Sequence, residues 1–222
     1  AIWFDGIWDQ PTNFNWQLEE QYALIHKLQP SCLIGNNHHR TPYAGEDFQM
    51  FERDLPGENK AGFSAGQGIS ELPLETCETM NGMWGYRIED QNYKSPKELI
   101  HYLVKAAGKN ANLLMNIGPQ PNGELPATAV EHLKQVGKWM NQYGETIYGT
   151  RGGDVVPHTW GVSTRKGDRL FIHIPLKAKV KKAIQFISKT PLSFKQEKDG
   201  IFIKLPQVPD DIDYVIELVI KQ

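Results

Sequence analysis

The sequence has no apolar run near the roughly 20 residues that span a bilayer. It has only two cysteines, Cys32 and Cys77, too few for a disulfide framework and without the spacing of a metal-ligand pair. It also lacks a surplus of either charge. Twenty-four Lys and Arg stand against 26 Asp and Glu in 222 residues, a formal net charge of −2, whereas a nucleic-acid binder carries a basic excess on one face. Together these absences exclude a disulfide scaffold, a membrane span and a nucleic-acid partner. Hydrophobic residues make up 40% of the chain and charged residues 23%, the balance of a chain that folds around a core. The sequence opens on Ala1-Ile2-Trp3-Phe4-Asp5-Gly6, with no initiator Met and no polar lead-in, as though inside a core strand.

Over residues 1–149 short apolar runs alternate with helical patterns. Residues 2–4 read as a strand end delivering Asp5 into a glycine turn. Residues 17–29 carry Leu18, Tyr22, Ile25 and Leu28 at helical spacing before Pro30. A strand over 32–35 ends in Asn36-Asn37-His38-His39, and residues 41–71 form a long polar stretch without strong periodicity, the kind of loop that is functional or disordered. Residues 72–80 read as a strand. Ser95, Pro96 and Glu98 form an N-cap, N1 and capping box for a helix with Leu99, Leu103 and Ala106 inward and Gly108 at the left-handed C-terminal position. Residues 111–117 form a strand with Asn112 and Asn116 on one face, where they serve either a site or a structural layer. Residues 126–143 form a helix with Val130, Leu133, Val136 and Met140 aligned. Strands alternating with helices predict βα units and a parallel sheet.

Beyond Gly152-Gly153 the pattern changes. Short strands are expected at 160–164, 169–174, 183–187, 192–195, 201–205 and 214–220. Turn signals separate them at Lys166-Gly167-Asp168, Lys198-Asp199-Gly200 and Pro209-Asp210-Asp211, the pattern of an antiparallel β-sandwich. The predicted fold class is therefore α/β: the second half of a (β/α)8 TIM-like barrel over residues 1–153, followed by an all-β antiparallel sandwich domain over 154–222. About four strands are visible in the first part, where a full barrel needs about 250 residues. A half barrel exposes two sheet edges, so the expectation is that the chain is a fragment whose partner is an N-terminal half.

Polar residues gather at the C-terminal ends of the expected strands, where barrel active sites lie. Asp5 follows Ile-Trp-Phe, Glu52 follows Gln-Met-Phe, and Glu75 lies within Leu-Pro-Leu-Glu-Thr-Cys. Two carboxyls across a barrel mouth suit glycoside hydrolysis, one as nucleophile or base and the other as acid. Trp3, Trp8 and Trp84 would offer apolar faces to a sugar ring. The alternative is that Asp5 caps a turn and the tryptophans are core. His38 and His39 are adjacent and point to opposite faces of an extended segment, so they cannot grip one metal together. A metal-dependent hydrolase using His38, His39 and Asp47 is the competing enzyme reading; for Glu46-Asp47 a solvated loop is the ordinary one. A non-catalytic carbohydrate-binding fragment is the competing binding reading, against which the nucleophile candidate speaks. The glycines at 57, 62, 66 and 68 make no phosphate loop, since no Gly-Lys-Ser/Thr follows.

Taken in order, these segments resemble the α-L-fucosidases of glycoside hydrolase family 29. Trp3-Phe4-Asp5-Gly6 is similar to that family's nucleophile strand. Ile34-Gly35-Asn36-Asn37 with a basic residue following is similar to its next strand end. Glu46-Asp47-Phe48 resembles its Gly-Asp-Phe loop, and Leu74-Glu75-Thr76-Cys77 with Trp84-Gly85-Tyr86 resembles its Trp-Glu-x-Cys region. The stretch from Asn112 through Pro119 resembles its Asn-x-Leu-Leu-Asn-x-Gly-Pro strand, and Gly144-Glu145-x-Ile147-Tyr148-Gly149-Thr150 the end of its catalytic domain. The resemblance covers nearly all of residues 1–150, with Trp160-Gly161 and the β region a looser fit.

The resemblance implies a retaining exo-hydrolase acting on fucosylated glycans, with no metal and no organic cofactor, in an extracytoplasmic location (periplasmic, secreted or lysosomal). Asp5 is the implied nucleophile. The acid/base is Glu75 or Glu52, the alignment leaning to Glu75 because Cys77 and the Trp-Gly-Tyr segment flank it. Trp3, His38, Arg40 and Trp84 are implied substrate-binding residues. The family's N-terminal half supplies further sugar-binding histidines and a tryptophan, so the complete pocket requires that half.

Overall fold

A computed structural model describes residues 1–153, 155–157, 161–173, 180–185, 188–197, 200–204 and 216–220. By compactness the chain divides into two units, residues 1–94 with 109–131 and residues 95–108 with 132–222.

The first unit is built on five parallel strands, β1 (Ile2–Phe4), β2 (Ile34–Asn36), β3 (Phe48–Glu52), β4 (Leu74–Thr79) and β5 (Ala111–Asn116), hydrogen-bonded in sequence order. A parallel sheet in strict sequence order is half of a curled barrel wall. Helix α1 (Leu18–Leu28) follows β1, with Tyr22 its one buried residue. Phe4 meets Tyr22 edge to face at 5.3 Å, which fixes the helix-covered face of the sheet. On that face Phe51, Leu74 and Ala111 form a buried cluster across three adjacent strands.

The strand missing from the sequence reading is β3, inside the stretch taken as a long loop. Gln49 hides it. This polar residue is 1% exposed, and its amide is satisfied on both sides: Gln49 Nε2 donates to Gly68 O at 2.7 Å, while Ser70 N donates to Gln49 Oε1 at 2.8 Å. The polar segment that follows β3 thus supplies the partners that let Gln49 lie in a central strand. On β2, Gly35 pairs with Phe48 and has no room for a side chain, because a Cβ there would come within 2.2 Å of the Phe48 ring.

The second unit contains α2 (Pro96–Gly108), most of α3 (Ala127–Tyr143) and the antiparallel strands. The expected capping box is present: Ser95 N and Oγ donate to Glu98 Oε2 at 2.8 and 2.7 Å. Gly108, however, does not adopt the left-handed conformation; it ends the helix, and Asn110, at φ 63°, is the left-handed residue. Gly108 is small for a different reason, since a Cβ would lie 2.4 Å from Val162 Cβ. Ile100 and Val104 of α2, Trp139 of α3 and Val162 form the core here, with Leu103, Val136 and Met140 packed against it.

Among the described residues of this unit there are three antiparallel sheets. β6 (Arg151–Gly152), β7 (Val162–Lys166) and β8 (Arg169–His173) form one, β9 (Val180–Gln185) lies between β10 (Pro191–Leu192) and β13 (Ile216–Ile220) in the second, and β11 (Phe194–Glu197) pairs with β12 (Gly200–Ile203). The turn expected at Gly167-Asp168 joins β7 to β8. Strand residues expected at Trp160, Ile174, Ile187, Leu205 and Tyr214, and the turn residues Lys198, Asp199, Pro209, Asp210 and Asp211, lie outside the described residues. Among the described residues no helix is long and apolar enough to cross a membrane.

Candidate active site

Parallel pairing sets the polar residues of the first unit in rows. Phe4 pairs with Asn36, Asn36 with Gln49, and Gln49 with Leu74. One residue further on, Asp5 and Asn37 leave the ends of β1 and β2. Because side chains alternate along a strand, Trp3, Asp5, Asn37, Met50, Glu52, Glu75 and Cys77 share the face opposite the α1 helix. This is the concave face of a barrel wall, and Trp3 is 38% exposed on it.

Asn37 links two of the carboxylates. Its Nδ2 donates to Glu52 Oε2 at 2.7 Å and to Asp5 Oδ1 at 3.2 Å, using both amide protons. Two contacts from one nitrogen keep the carboxylate oxygens within about 6 Å of each other, compatible with the roughly 5–5.5 Å of retaining glycosidases. Asn37 was visible in the sequence only as part of a strand-end motif; its place directly after β2, as Asp5 is directly after β1, is the signal that marks it.

Glu75 occupies a different level. It pairs with Met50, whereas Cys77, two residues further along β4, pairs with Glu52. At about 3.3 Å per residue, Glu75 lies between 6 and 7 Å, roughly, down the sheet from Glu52's row. Burial raises its carboxyl pKa above the ordinary glutamate value. Cys77 is 3% exposed, and burial, reinforced by the charges of Glu52 and Glu75, pushes its thiol up to about 12.

The two histidines part company. His38 is buried and internally engaged: Arg40 N donates to its Nδ1 at 3.0 Å, so Nε2 carries the proton and donates to the Glu46 carboxylate at 3.0 Å. Tyr22 Oη also donates to Glu46 Oε1, at 3.0 Å, and accepts from Asn36 Nδ2 at 2.7 Å. Glu46 is therefore the centre of a buried network and not a solvated loop residue. Its neighbour Asp47 accepts from Ile34 N at 2.8 Å and contacts His26 Nε2 at 2.9 Å. His38, His39 and Asp47 face different partners, and no group of three His, Cys, Asp or Glu that could hold a metal occurs among the described residues.

His39 takes the position on the site that His38 does not. Its Nε2 is 3.6 Å from Glu52 Oε2, and its ring is stacked between Trp8, at 5.1 Å, and Phe63, at 5.4 Å. Burial lowers its pKa despite the opposing charges of Glu52 and Asp5, favouring the neutral ring. Its φ is 58°, and Arg53, immediately after Glu52, has φ 56°. Left-handed non-glycine residues concentrate at functional sites, and these two bracket Glu52. Arg53 also covers the Trp84 ring at 4.8 Å and donates to Gly82 O at 2.8 Å; Asn116 Nδ2 donates to Trp84 O at 2.7 Å. Trp84 is thus held at its ring by Arg53 and at its main chain by Asn116. Arg40 is exposed, its guanidinium donating to Tyr43 Oη at 3.1 Å. Beside His39, a cavity of about 400 Å³ opens between residues 7–18 and 38–43.

The family model described as Alpha-L-fucosidase matches residues 1–145, which includes every residue of this constellation. The chain belongs to the α-L-fucosidase family. Over 157 residues it is 32% identical to human plasma alpha-L-fucosidase, covering 60% of this chain and 34% of that protein. Over 241 aligned positions it is 27% identical to human tissue alpha-L-fucosidase, covering 94% of this chain and 48% of that protein. Among solved structures, alpha-L-fucosidase isoenzyme 1 from Paenibacillus thiaminolyticus superposes with a TM-score of 0.67 and 31% identity, over 99% of this chain and 57% of that one. The chain thus spans between a third and a half of the length of these curated fucosidases.

Proposed function

We propose that this chain provides the nucleophile and acid/base of a retaining α-L-fucosidase. The observation that carries the reading is the shared Asn37 amide, which holds Asp5 and Glu52 close together. In the first step an Asp5 carboxylate oxygen attacks the anomeric carbon of a terminal α-L-fucose while Glu52 gives its proton to the departing glycosidic oxygen. A covalent fucosyl ester on Asp5 results. In the second step Glu52, now ionised, takes a proton from water; the water oxygen attacks the same carbon, the ester bond breaks, and fucose leaves with its configuration retained. No metal or organic cofactor enters these steps. Asn37 orients both carboxylates, and Trp3 and the Arg53-backed Trp84 offer faces to the sugar. Glu52 is favoured over Glu75 as acid/base because it shares the Asn37 donor with Asp5, while Glu75 pairs two residues lower.

The open concave face and the two unshared sheet edges support the completion of this wall by the N-terminal half of a (β/α)8 barrel, with residues 1–153 as its second half. Residues 154–222 would form the antiparallel sandwich domain, a reading supported by the three antiparallel sheets. The substrate class is a fucosylated glycan, and the names of the plasma and tissue relatives favour an extracytoplasmic setting.

The test is Asp5→Gly in the full-length polypeptide, with 4-nitrophenyl α-L-fucoside as substrate. Turnover should be lost, and azide should restore nitrophenol release with formation of the inverted β-fucosyl azide. Undiminished activity of the variant would overturn the assignment.

A further inference from the structure

The cavity beside His39 has no part in the steps above, and its walls have a definite chemistry. Trp8, 52% exposed, and Phe14, 48% exposed, contribute aromatic faces. Phe14 is locked edge to face against Trp16 at 4.8 Å. Gln10, Asn15 and Arg40 supply polar groups at the same walls. Broad aromatic faces with a few hydrogen-bonding groups suit a pyranose, whose C–H faces stack on rings while its hydroxyls seek donors and acceptors.

Position decides which sugar. Asp5, Asn37 and Glu52 do not line the cavity, so the ring whose anomeric carbon must touch Asp5 cannot lie inside it. His39 does line it, and the Nε2 of that ring is 3.6 Å from Glu52 Oε2. The cavity therefore adjoins the carboxyl that protonates the leaving oxygen. We propose that this cavity, walled by Trp8, Phe14 and Trp16, binds the first sugar of the leaving group, and that it makes the enzyme selective for sugar leaving groups over ones too small to occupy it. The proposal rests on the fucosidase reading for the direction of bond cleavage. The cavity volume, about 400 Å³, is that of a small-ligand site.

The test compares α-L-fucosyl fluoride, whose leaving group occupies no subsite, with 2′- and 3-fucosyllactose in the full-length polypeptide. Trp8→Ala and Phe14→Ala should each lower kcat/KM on the better fucosyllactose at least tenfold more than on the fluoride, chiefly through KM. Equal losses on the two substrates, or none on either, would overturn the subsite; so would a wild type that turns over the fluoride but neither fucosyllactose. A wild type inactive on every substrate refutes the fucosidase reading instead. The subsite is then judged by titrating tryptophan fluorescence with lactose: saturable quenching lost in Trp8→Ala upholds it, and absence of saturable quenching in the wild type overturns it.

Discussion

Asn37 donates to Glu52 across 2.7 Å from the end of the neighbouring strand. The same nitrogen reaches Asp5 on the strand beyond. One amide thus serves two carboxylates that stand at the ends of β1 and β3, two strand steps apart in the sheet.

Removing that amide should loosen both carboxylates without unfolding the sheet. Asn37→Ala is expected to lower kcat on fucosyl oligosaccharides by about 100-fold, the cost of misplacing reacting groups by about 1 Å. Steady-state kinetics with a far-UV circular dichroism control would measure it. An unchanged kcat would show that Asn37 does not orient the pair.

The two glutamates should separate cleanly. Glu52→Gln is expected to spare the first step on aryl fucosides with good leaving groups while reducing kcat/KM on natural glycosides by about 10² to 10⁴, the usual contribution of a general acid. Glu75→Gln should do neither. Burial raises the Glu75 pKa, so ionising it costs stability as pH rises above the ordinary glutamate range. The glutamine variant should therefore melt higher than wild type at pH 7, an advantage that fades toward pH 4. A Glu75→Gln enzyme crippled only on glycosides would reverse the assignment of the acid.

A different pH dependence is expected from His173. It is buried in β8, with its Nε2 3.0 Å from Thr164 Oγ1, and that hydroxyl donates to Thr146 O at 2.6 Å. Thr164 must then accept from an Nε2–H of the neutral ring. Burial lowers the His173 pKa from 6.5 to about 4. The unfolded chain binds a proton here that the folded chain resists, so stability is fully present above pH 6.5 and falls as the pH drops toward 4. The loss should approach about 3 kcal/mol. Urea midpoints measured between pH 7 and 4 should show it, and His173→Gln should flatten that part of the profile.

Gly108 and Val162 offer a packing test. A methyl group on Gly108 would lie 2.4 Å from Val162 Cβ, so Gly108→Ala should destabilise by about 1–3 kcal/mol. Val162→Ala, added to it, should recover part of that loss, giving a favourable coupling in a double-mutant cycle.

The sequence made some of this legible and concealed the rest for physical reasons. Capping at Ser95 and Glu98 is local chemistry, and the structure keeps it. The strand β3 was obscured because Gln49 is polar yet buried, with partners about twenty residues downstream that no periodicity can announce. Gly108 has the sequence position of a left-handed helix end, yet its constraint is steric and comes from Val162, on a distant strand. Asp5, Glu52 and Glu75 were recognisable as candidates from their strand-end positions. Which glutamate stands beside Asp5 depends on strand register and on Asn37, a three-strand relationship invisible in any one segment. His38 and His39 were separable in direction, but only the Glu46 network explains why the first is sequestered and the second left beside Glu52.

The thiol of Cys77 has a practical consequence. Sealed at 3% exposure and with its pKa pushed up to about 12, it carries almost no thiolate at neutral pH, and thiolate is the form that reacts with alkylating reagents. Electrophilic sugar analogues aimed at the neighbouring carboxylates should therefore esterify oxygen and leave this sulfur untouched. Cys32, two residues before β2, is partly exposed. Counting maleimide labels by mass would then read as a clock for opening of the wall: one label while β3 and β4 stay paired, two once they part.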